Sequence, residues 1–97
     1  MSKRRVVVTG IGVTTPIGHD VQSSVAALKE GRGGIRRMPE WDVITDLQGR
    51  LGATVEGLDL FTIYPRKQRR TMGKVALLAV HSAEQAVKQS GLTETQL

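Results

Sequence analysis

The apolar positions of the chain begin with three consecutive valines, Val6 to Val8, which do not alternate with polar residues. The β-branched segment over residues 5–9 ends at Gly10, and this pattern predicts a β-strand. Because neither side of the segment is polar, we expect both faces to be buried, as in a central strand of a layered sheet.

A helix is predicted over the next patterned segment, VQSSVAALKE. Asp20 is a favourable N-cap residue, and Gly31 provides a C-terminal stop. Val21, Val25 and Leu28 lie on one face of this helix at helical spacing.

The middle of the chain has weaker patterns. The stretch GRGGIRRMPEW holds three glycines within four residues and also Pro39, which predicts an irregular loop. Residues 51–55, LGATV, predict a second strand. Pro65 suits the first turn of a short helix over PRKQRRTM.

The clearest helical pattern covers residues 73–90. Lys88 lies in its last turn and Gly91 follows as the stop. The first half, VALLAV, is apolar on all sides and requires cover from several neighbours. Thr93 then opens a Thr-x-x-Gln capping box, which announces another helix. These two features predict that the chain is the opening section of a larger protein.

The composition is that of a globular protein of one small domain. The chain has 97 residues, of which 39% are hydrophobic and 24% charged. The absence of cysteine excludes disulfides, thiolate metal sites and a cysteine nucleophile within this chain. The basic start precedes an apolar run that Gly10, Gly12 and Pro16 interrupt, so we predict a cytoplasmic protein without a secretory signal. No apolar stretch approaches the ~20 residues that span a bilayer.

The segment VVVTGIGVTTPIG has the appearance of a nucleotide-binding loop. A dinucleotide loop needs G-x-G-x-x-G running directly into a helix that holds the pyrophosphate. Gly10 and Gly12 fit this spacing, but Thr15 occupies the third position, and Pro16 and Gly18 delay the helix. We therefore predict that the glycines allow close backbone packing and that the threonine hydroxyls satisfy exposed amides.

The net charge is +5, which favours an anionic partner. The segment PRKQRRTMGK carries five positive charges and no negative one. At helical spacing Arg66, Arg69 and Arg70 share a face. From these residues alone, an ordinary solvated basic helix is an alternative to a binding surface. A small RNA- or DNA-binding protein is a second alternative, although no aromatic residues alternate with the basic clusters for base stacking.

The segment VVVTGIGVTTPIG, followed by ALKEGRGGI, closely resembles the N-terminus of the elongating beta-ketoacyl-acyl-carrier-protein synthases. PRKQRRTMGKVALLAVHSAEQAVKQSGL resembles the next part of that family, in the same order. MPEW and MGKVALLA are more similar to the branch that accompanies aryl-polyene pathways. The resemblance implies an α/β fold, the N-terminal part of a thiolase-like layered αβαβα fold. Residues 1–97 would begin the N-terminal half of a ketosynthase domain.

The resemblance also implies an activity for the complete protein. Family members are acyltransferases that elongate acyl chains by decarboxylative Claisen condensation with malonyl carrier protein, using a cysteine and two histidines. Those residues lie downstream of the matched region, so we expect no catalytic residue in this chain and no activity from it alone. We predict that His19 is a loop residue and that His81 is a hydrogen-bonded structural histidine. No cofactor-binding or metal-binding residue is expected.

The partner that the resemblance implies is the acidic, phosphopantetheinylated acyl carrier protein. The family motif RK-x-x-R-x-M matches part of the basic segment, although Thr71 stands where a lysine is common. The candidate docking residues are Arg66, Lys67, Arg69, Arg70 and Lys74. The family also implies a dimer, formed with a second copy or with a related ketosynthase subunit. A non-catalytic partner subunit that sets chain length is an alternative within the superfamily, and specific nucleic-acid binding is not expected.

Overall fold

The computed structural model of the protein describes residues 3–97. Its α-helices and β-strands are α1 (Val21–Glu30), β1 (Ile35–Arg37), β2 (Leu51–Ala53), α2 (Leu60–Ile63), α3 (Arg66–Arg69) and α4 (Lys74–Ser90). Two short 3-10 turns lie at Pro39–Trp41 and Glu94–Gln96. Within this part of the chain, every helix is too short or too polar to cross a membrane.

The valine segment at the start does not form the predicted strand. Residues 3–14 are outside any helix or strand, and Val6, Val7 and Val8 are 96%, 66% and 81% exposed. A strand requires hydrogen bonds to a neighbouring strand. Among residues 3–97 the only sheet consists of β1 and β2, so this segment has no partner strand there. The prediction of a strand buried on both faces is therefore wrong for this structure.

Helix α1 begins and ends where the sequence predicts. The Asp20 side chain accepts a hydrogen bond from the Ser23 N–H at 2.7 Å, and the Ser23 hydroxyl closes a capping box. At the other end Gly31 adopts a left-handed conformation with φ 72°. Both termini are therefore set by short-range side-chain and backbone chemistry.

The apolar face of α1 is not the face that is buried among residues 3–97. Ser24 and Ala27 are buried, whereas Val25 is 42% and Leu28 69% exposed. The Ser24 hydroxyl lies 2.9 Å from the Thr15 hydroxyl. The preceding loop therefore packs on the small, polar side of the helix rather than on its valines.

A small antiparallel hairpin replaces part of the predicted loop. β1 pairs with β2 in the register Ile35↔Ala53. The three residues IRR that follow the glycines therefore pair with residues 14 or more positions later in the chain. The second predicted strand is confirmed in a shorter form, over Leu51–Ala53. Arg37 and Arg50 both bind the Asp42 carboxylate, at 2.8 and 3.0 Å, and hold the ends of the hairpin together.

Two short helices, α2 and α3, lead into α4. Asp59 caps α2, and its carboxylate accepts hydrogen bonds from the Phe61 and Thr62 N–H groups. The predicted helix after Tyr64 is present but shorter, since α3 covers Arg66–Arg69 only. Pro65 serves as its N-cap rather than as its first helical residue.

Helix α4 confirms the strongest prediction. It spans Lys74–Ser90, and Gly91 ends it in a left-handed conformation with φ 71°. The capping box of Thr93 and Gln96 is also formed and starts the turn Glu94–Gln96. Leu77 packs in a core with Leu60 and Tyr64. The apolar first half of α4 is covered on the side of Leu77, whereas Val75 on another side is 82% exposed.

Candidate functional site

The five residues Arg66, Lys67, Arg69, Arg70 and Lys74 are here called the basic cluster. The first three belong to α3, Arg70 is the C-cap of that helix, and Lys74 is the first residue of α4. All are exposed except Arg69, which is half-buried. None of the ion pairs formed among residues 3–97 includes a member of this cluster.

A buried tyrosine anchors the basic cluster to the core. Tyr64, directly before Pro65, is only 4% exposed and packs against Leu60 and Leu77. Its hydroxyl donates a hydrogen bond to the Glu84 carboxylate at 2.9 Å, which joins α4 to the start of α3. Burial, followed by the bond to Glu84 and its charge, raises the pKa of Tyr64 to about 12.

Arg69 differs from the other members of the basic cluster. Its Nε donates to the Tyr64 carbonyl oxygen at 3.2 Å, and its guanidinium carbon lies 4.8 Å from the centre of the Phe61 ring. This cation–π contact ties α3 to α2. The five predicted residues thus lie together within one short stretch, but the Arg69 side chain is occupied by contacts within the chain. The exposed cations available to a partner are those of Arg66, Lys67, Arg70 and Lys74.

The carboxylate of Asp59 is close enough to Arg69 of the basic cluster to be affected by its charge. Hydrogen bonds from the Thr62 hydroxyl and N–H lower the pKa of Asp59, with smaller contributions from the Phe61 N–H and the charge of Arg69. Its oxygens are used to cap α2, so the charge is compensated locally. Sequence analysis missed this residue, although Asp-x-x-Thr before a short helix is a recognisable capping signal.

The glycine-rich segment makes the predicted close backbone contact, and the element that it meets is α4. A Cβ atom at Gly10 would lie 2.0 Å from the Ala86 carbonyl oxygen, and one at Gly12 would lie 1.8 Å from that of Ser82. Only glycine permits so close an approach of two backbones. The glycines therefore face helix backbone rather than an open space for phosphates.

Side chains of α4 bind the backbone of the glycine-rich segment. The Ile11 N–H donates to the Gln89 amide oxygen at 2.7 Å, and the Val13 N–H donates to that of Gln85 at 3.2 Å. The Ile17 N–H donates to the Thr15 hydroxyl at 3.3 Å, and this hydroxyl donates to the Gly18 carbonyl at 2.9 Å. The predicted threonine contacts are thus present, and two glutamines that sequence analysis did not single out carry the rest.

Both histidines make hydrogen bonds to neighbouring groups. His81 Nδ1 lies 2.8 Å from the Thr14 hydroxyl and 3.2 Å from the Gln85 side-chain nitrogen. His81 is therefore a hydrogen-bonded structural histidine, as predicted. His19 Nε2 lies 2.6 Å from the Glu56 carbonyl oxygen and joins the loop before α1 to the segment after β2.

A solved structure shows the class of this fold. A beta-ketoacyl synthase from Burkholderia phymatum superposes with a TM-score of 0.82 and 40% sequence identity, covering 95% of this chain and 22% of that one. The predicted fold class is confirmed: the chain has the fold of the N-terminal part of a thiolase-like α/β protein. The sequence model of the family "Beta-ketoacyl synthase, N-terminal domain" matches residues 3–97. The chain belongs to this family.

Curated relatives agree with the family assignment. The chain is 38% identical over 96 residues to 3-oxoacyl-[acyl-carrier-protein] synthase 2 of Vibrio harveyi, covering 99% of the chain and 23% of the relative. It is 38% identical over 90 residues to nodulation protein E of Rhizobium leguminosarum bv. trifolii, covering 93% and 22%. The chain spans less than a quarter of the length of these relatives.

Proposed function

We propose that residues 1–97 are the beginning of the N-terminal half of a beta-ketoacyl-acyl-carrier-protein synthase. The complete enzyme would accept an acyl group as a thioester and join it to the enolate formed as malonyl carrier protein loses carbon dioxide. The family match over residues 3–97 supports this function, as do relatives named 3-oxoacyl-[acyl-carrier-protein] synthase. The cysteine nucleophile and the two catalytic histidines would lie outside this chain.

The activity is tested with the protein expressed from its complete gene. Incubation with an acyl carrier protein thioester and malonyl carrier protein should release carbon dioxide and yield a β-ketoacyl product two carbons longer, detected by mass spectrometry. Malonyl carrier protein without the acyl donor is the control. If no extended product forms, the enzyme assignment fails and a non-catalytic partner subunit becomes the better assignment.

The role of this segment would be to receive the acidic acyl carrier protein. The observation that supports it is a set of four exposed cations without carboxylate partners among residues 3–97, close together on α3 and the start of α4. Such a surface attracts an acidic protein over a distance and orients it. The arginines can also hold phosphate oxygens through paired N–H groups.

Charge reversal tests this docking role. The double variant Arg66→Glu with Arg70→Glu should bind apo acyl carrier protein from the same organism at least about tenfold more weakly at low salt, with a flatter salt dependence, because close charge pairs at an interface are then repulsive. Isothermal titration at several salt concentrations measures both quantities. Lys29→Glu with Lys88→Glu is the matched control, since these exposed lysines lie on α1 and at the far end of α4.

The two variants change the net charge equally, so they separate a local contact from a general electrostatic effect. If both variants bind the carrier protein equally weakly, the basic cluster acts only through the overall positive charge and is not a specific docking surface. Unchanged affinity in Arg66→Glu with Arg70→Glu would refute the docking role.

We further propose a cytoplasmic protein that forms a dimer with a second copy or a related ketosynthase subunit. Native mass spectrometry of the purified complex tests the dimer.

A further inference from the structure

Gln85 connects α4 to two points of the segment that precedes α1, and these contacts fix the orientation of its side-chain amide. The amide oxygen accepts the Val13 N–H at 3.2 Å, and the amide nitrogen donates to the His19 carbonyl oxygen at 2.6 Å. A backbone N–H only donates and a backbone carbonyl only accepts. Exchanging the oxygen and nitrogen of this amide would therefore break both hydrogen bonds.

The ring of His81 contacts the same amide nitrogen. His81 Nδ1 lies 3.2 Å from the Gln85 side-chain nitrogen. Because an amide nitrogen donates and does not accept, His81 Nδ1 is the acceptor and carries no proton. The imidazole is therefore neutral in this arrangement, with its proton on Nε2.

The Thr14 hydroxyl contacts the same ring atom from the glycine-rich segment. It lies 2.8 Å from His81 Nδ1 and 2.8 Å from the Ser82 hydroxyl. The Ser82 hydroxyl also donates to the Leu78 carbonyl oxygen at 3.1 Å. A hydroxyl both donates and accepts, so Thr14 can bond to either protonation state of His81. Gln85 is therefore the neighbour that distinguishes the two states.

The side chains bonded to the His81 ring are uncharged, and the glycine-rich segment over residues 6–18 has no titratable side chain. The titratable side chains of the loop before α1 and of the second half of α4 are His19, Asp20, Glu84 and Lys88. The first three bond to the Glu56 carbonyl, the first turn of α1 and the Tyr64 hydroxyl, and Lys88 is exposed. None of the ion pairs among residues 3–97 includes His81. A positive charge on this ring would therefore not be paired with a carboxylate in the described part of the chain.

We propose that His81 is a proton-sensitive contact that releases the glycine-rich segment from α4. A proton on Nδ1 would place two N–H donors opposite each other at the present separation of 3.2 Å. Gln85 relieves this contact by turning its amide away, and it then loses the Val13 N–H and the His19 carbonyl together. Protonation of one ring atom thus loosens the chain before α1 at two points.

His19 provides an internal comparison, because its hydrogen bond has the opposite direction. His19 Nε2 lies 2.6 Å from the Glu56 carbonyl oxygen, so this nitrogen donates. A ring nitrogen that already donates keeps its hydrogen bond when the other nitrogen gains a proton. We therefore expect acid to break the contact of His81 and to leave that of His19 in place.

Hydrogen exchange in the protein expressed from its complete gene tests this proposal. The measurement is made at about pH 8 and about pH 5, on the two sides of the range in which histidines titrate, and is corrected for the intrinsic effect of pH on exchange. The Val13 amide should exchange at least about fivefold faster at the lower pH, the factor expected for the loss of one hydrogen bond.

Two variants assign the response to a particular ring. In His81→Asn the side-chain oxygen can still accept from Gln85 but gains no proton in this range, so the corrected exchange of the Val13 amide should be equal at both pH values. His19→Gln is the matched control, since its amide can still donate to the Glu56 carbonyl. It should keep the response of the unmodified protein. A response that persists in His81→Asn would contradict the proposal.

Nitrogen chemical shifts of the labelled histidine rings measure the protonation state in the unmodified protein. His81 Nδ1 should be unprotonated at about pH 8 and should gain its proton over the pH range in which the protection of the Val13 amide is lost. A proton on Nδ1 at about pH 8 would overturn the assigned direction of the bond from Gln85. Exchange of the Val13 amide that does not change between the two pH values would overturn the proposed release.

Discussion

Gly12 lies where the glycine-rich segment passes closest to α4, and its replacement by alanine should loosen that contact. The added Cβ would lie 1.8 Å from the Ser82 carbonyl oxygen and 2.9 Å from the Gln85 Cβ. Ordinary van der Waals contact begins at 3.4 Å, so the two backbones would have to separate by about 1.6 Å. The obstructing atom is part of a helix backbone and cannot rotate away.

A separation of this size breaks the hydrogen bonds on both sides of Gly12. The Ile11 and Val13 N–H groups would lose Gln89 and Gln85, which they now reach at 2.7 and 3.2 Å. Two lost hydrogen bonds of about 1 kcal/mol each and about 1–3 kcal/mol of overpacking give a cost of about 3–5 kcal/mol. The cost falls to about 2 kcal/mol if the segment shifts and finds water for its amides.

Hydrogen exchange in the protein expressed from its complete gene measures this effect locally. In Gly12→Ala, the amides of Ile11 and Val13 should exchange at least about 30-fold faster, the factor that corresponds to about 2 kcal/mol. Gly33→Ala is the matched control, because no atom lies within 4 Å of the added Cβ and its φ is not left-handed. If the amides of Gly12→Ala exchange like those of Gly33→Ala, the close packing at Gly12 contributes nothing to stability.

Two further predictions concern pH. Hydrogen bonds from the Ser23 hydroxyl and then from the Ser23 N–H lower the pKa of Asp20. The contribution of this carboxylate to folding stability is therefore present above the ordinary carboxyl pKa of ~3.9 and disappears as the pH falls through the folded value. Asp20→Asn should remove that dependence as the pH falls below about 5. Urea unfolding of both proteins at several pH values measures it, and curves that stay parallel would show that the cap has no such role. The pKa of Tyr64 is raised to about 12. The contribution of the protonated Tyr64 side chain to folding stability is therefore complete below pH ~10 and is lost as the pH rises through 12. The unmodified protein should therefore lose stability relative to Tyr64→Phe over this range, and a constant difference between the two would contradict the assignment.

The helix termini were the part of the fold that could be predicted residue by residue. Asp20 and Gly31 bound α1, and Gly91 ends α4, as the sequence indicates. Thr93 and Gln96 form the predicted capping box. In each case the interacting groups are three or four positions apart, so the local sequence contains the whole interaction.

The candidate site could be predicted only in part. The positive charge of the basic cluster is evident from its composition, and Pro65 correctly predicted a short helix. The division of its residues into exposed cations and one engaged arginine was not foreseen, because Arg69 contacts Phe61, which lies in a different helix.

The sequence by itself determined the helix boundaries, the positive charge of the segment before α4, and the resemblance from which the fold class followed. It also determined that Gly10 and Gly12 serve close packing, because their spacing does not fit a phosphate loop. The tertiary structure decided which element the glycines meet, which face of α1 is buried, and that the valines at residues 6–8 lack a strand partner. These features depend on residues far apart in the chain, whose approach is governed by packing and backbone pairing rather than by local preference.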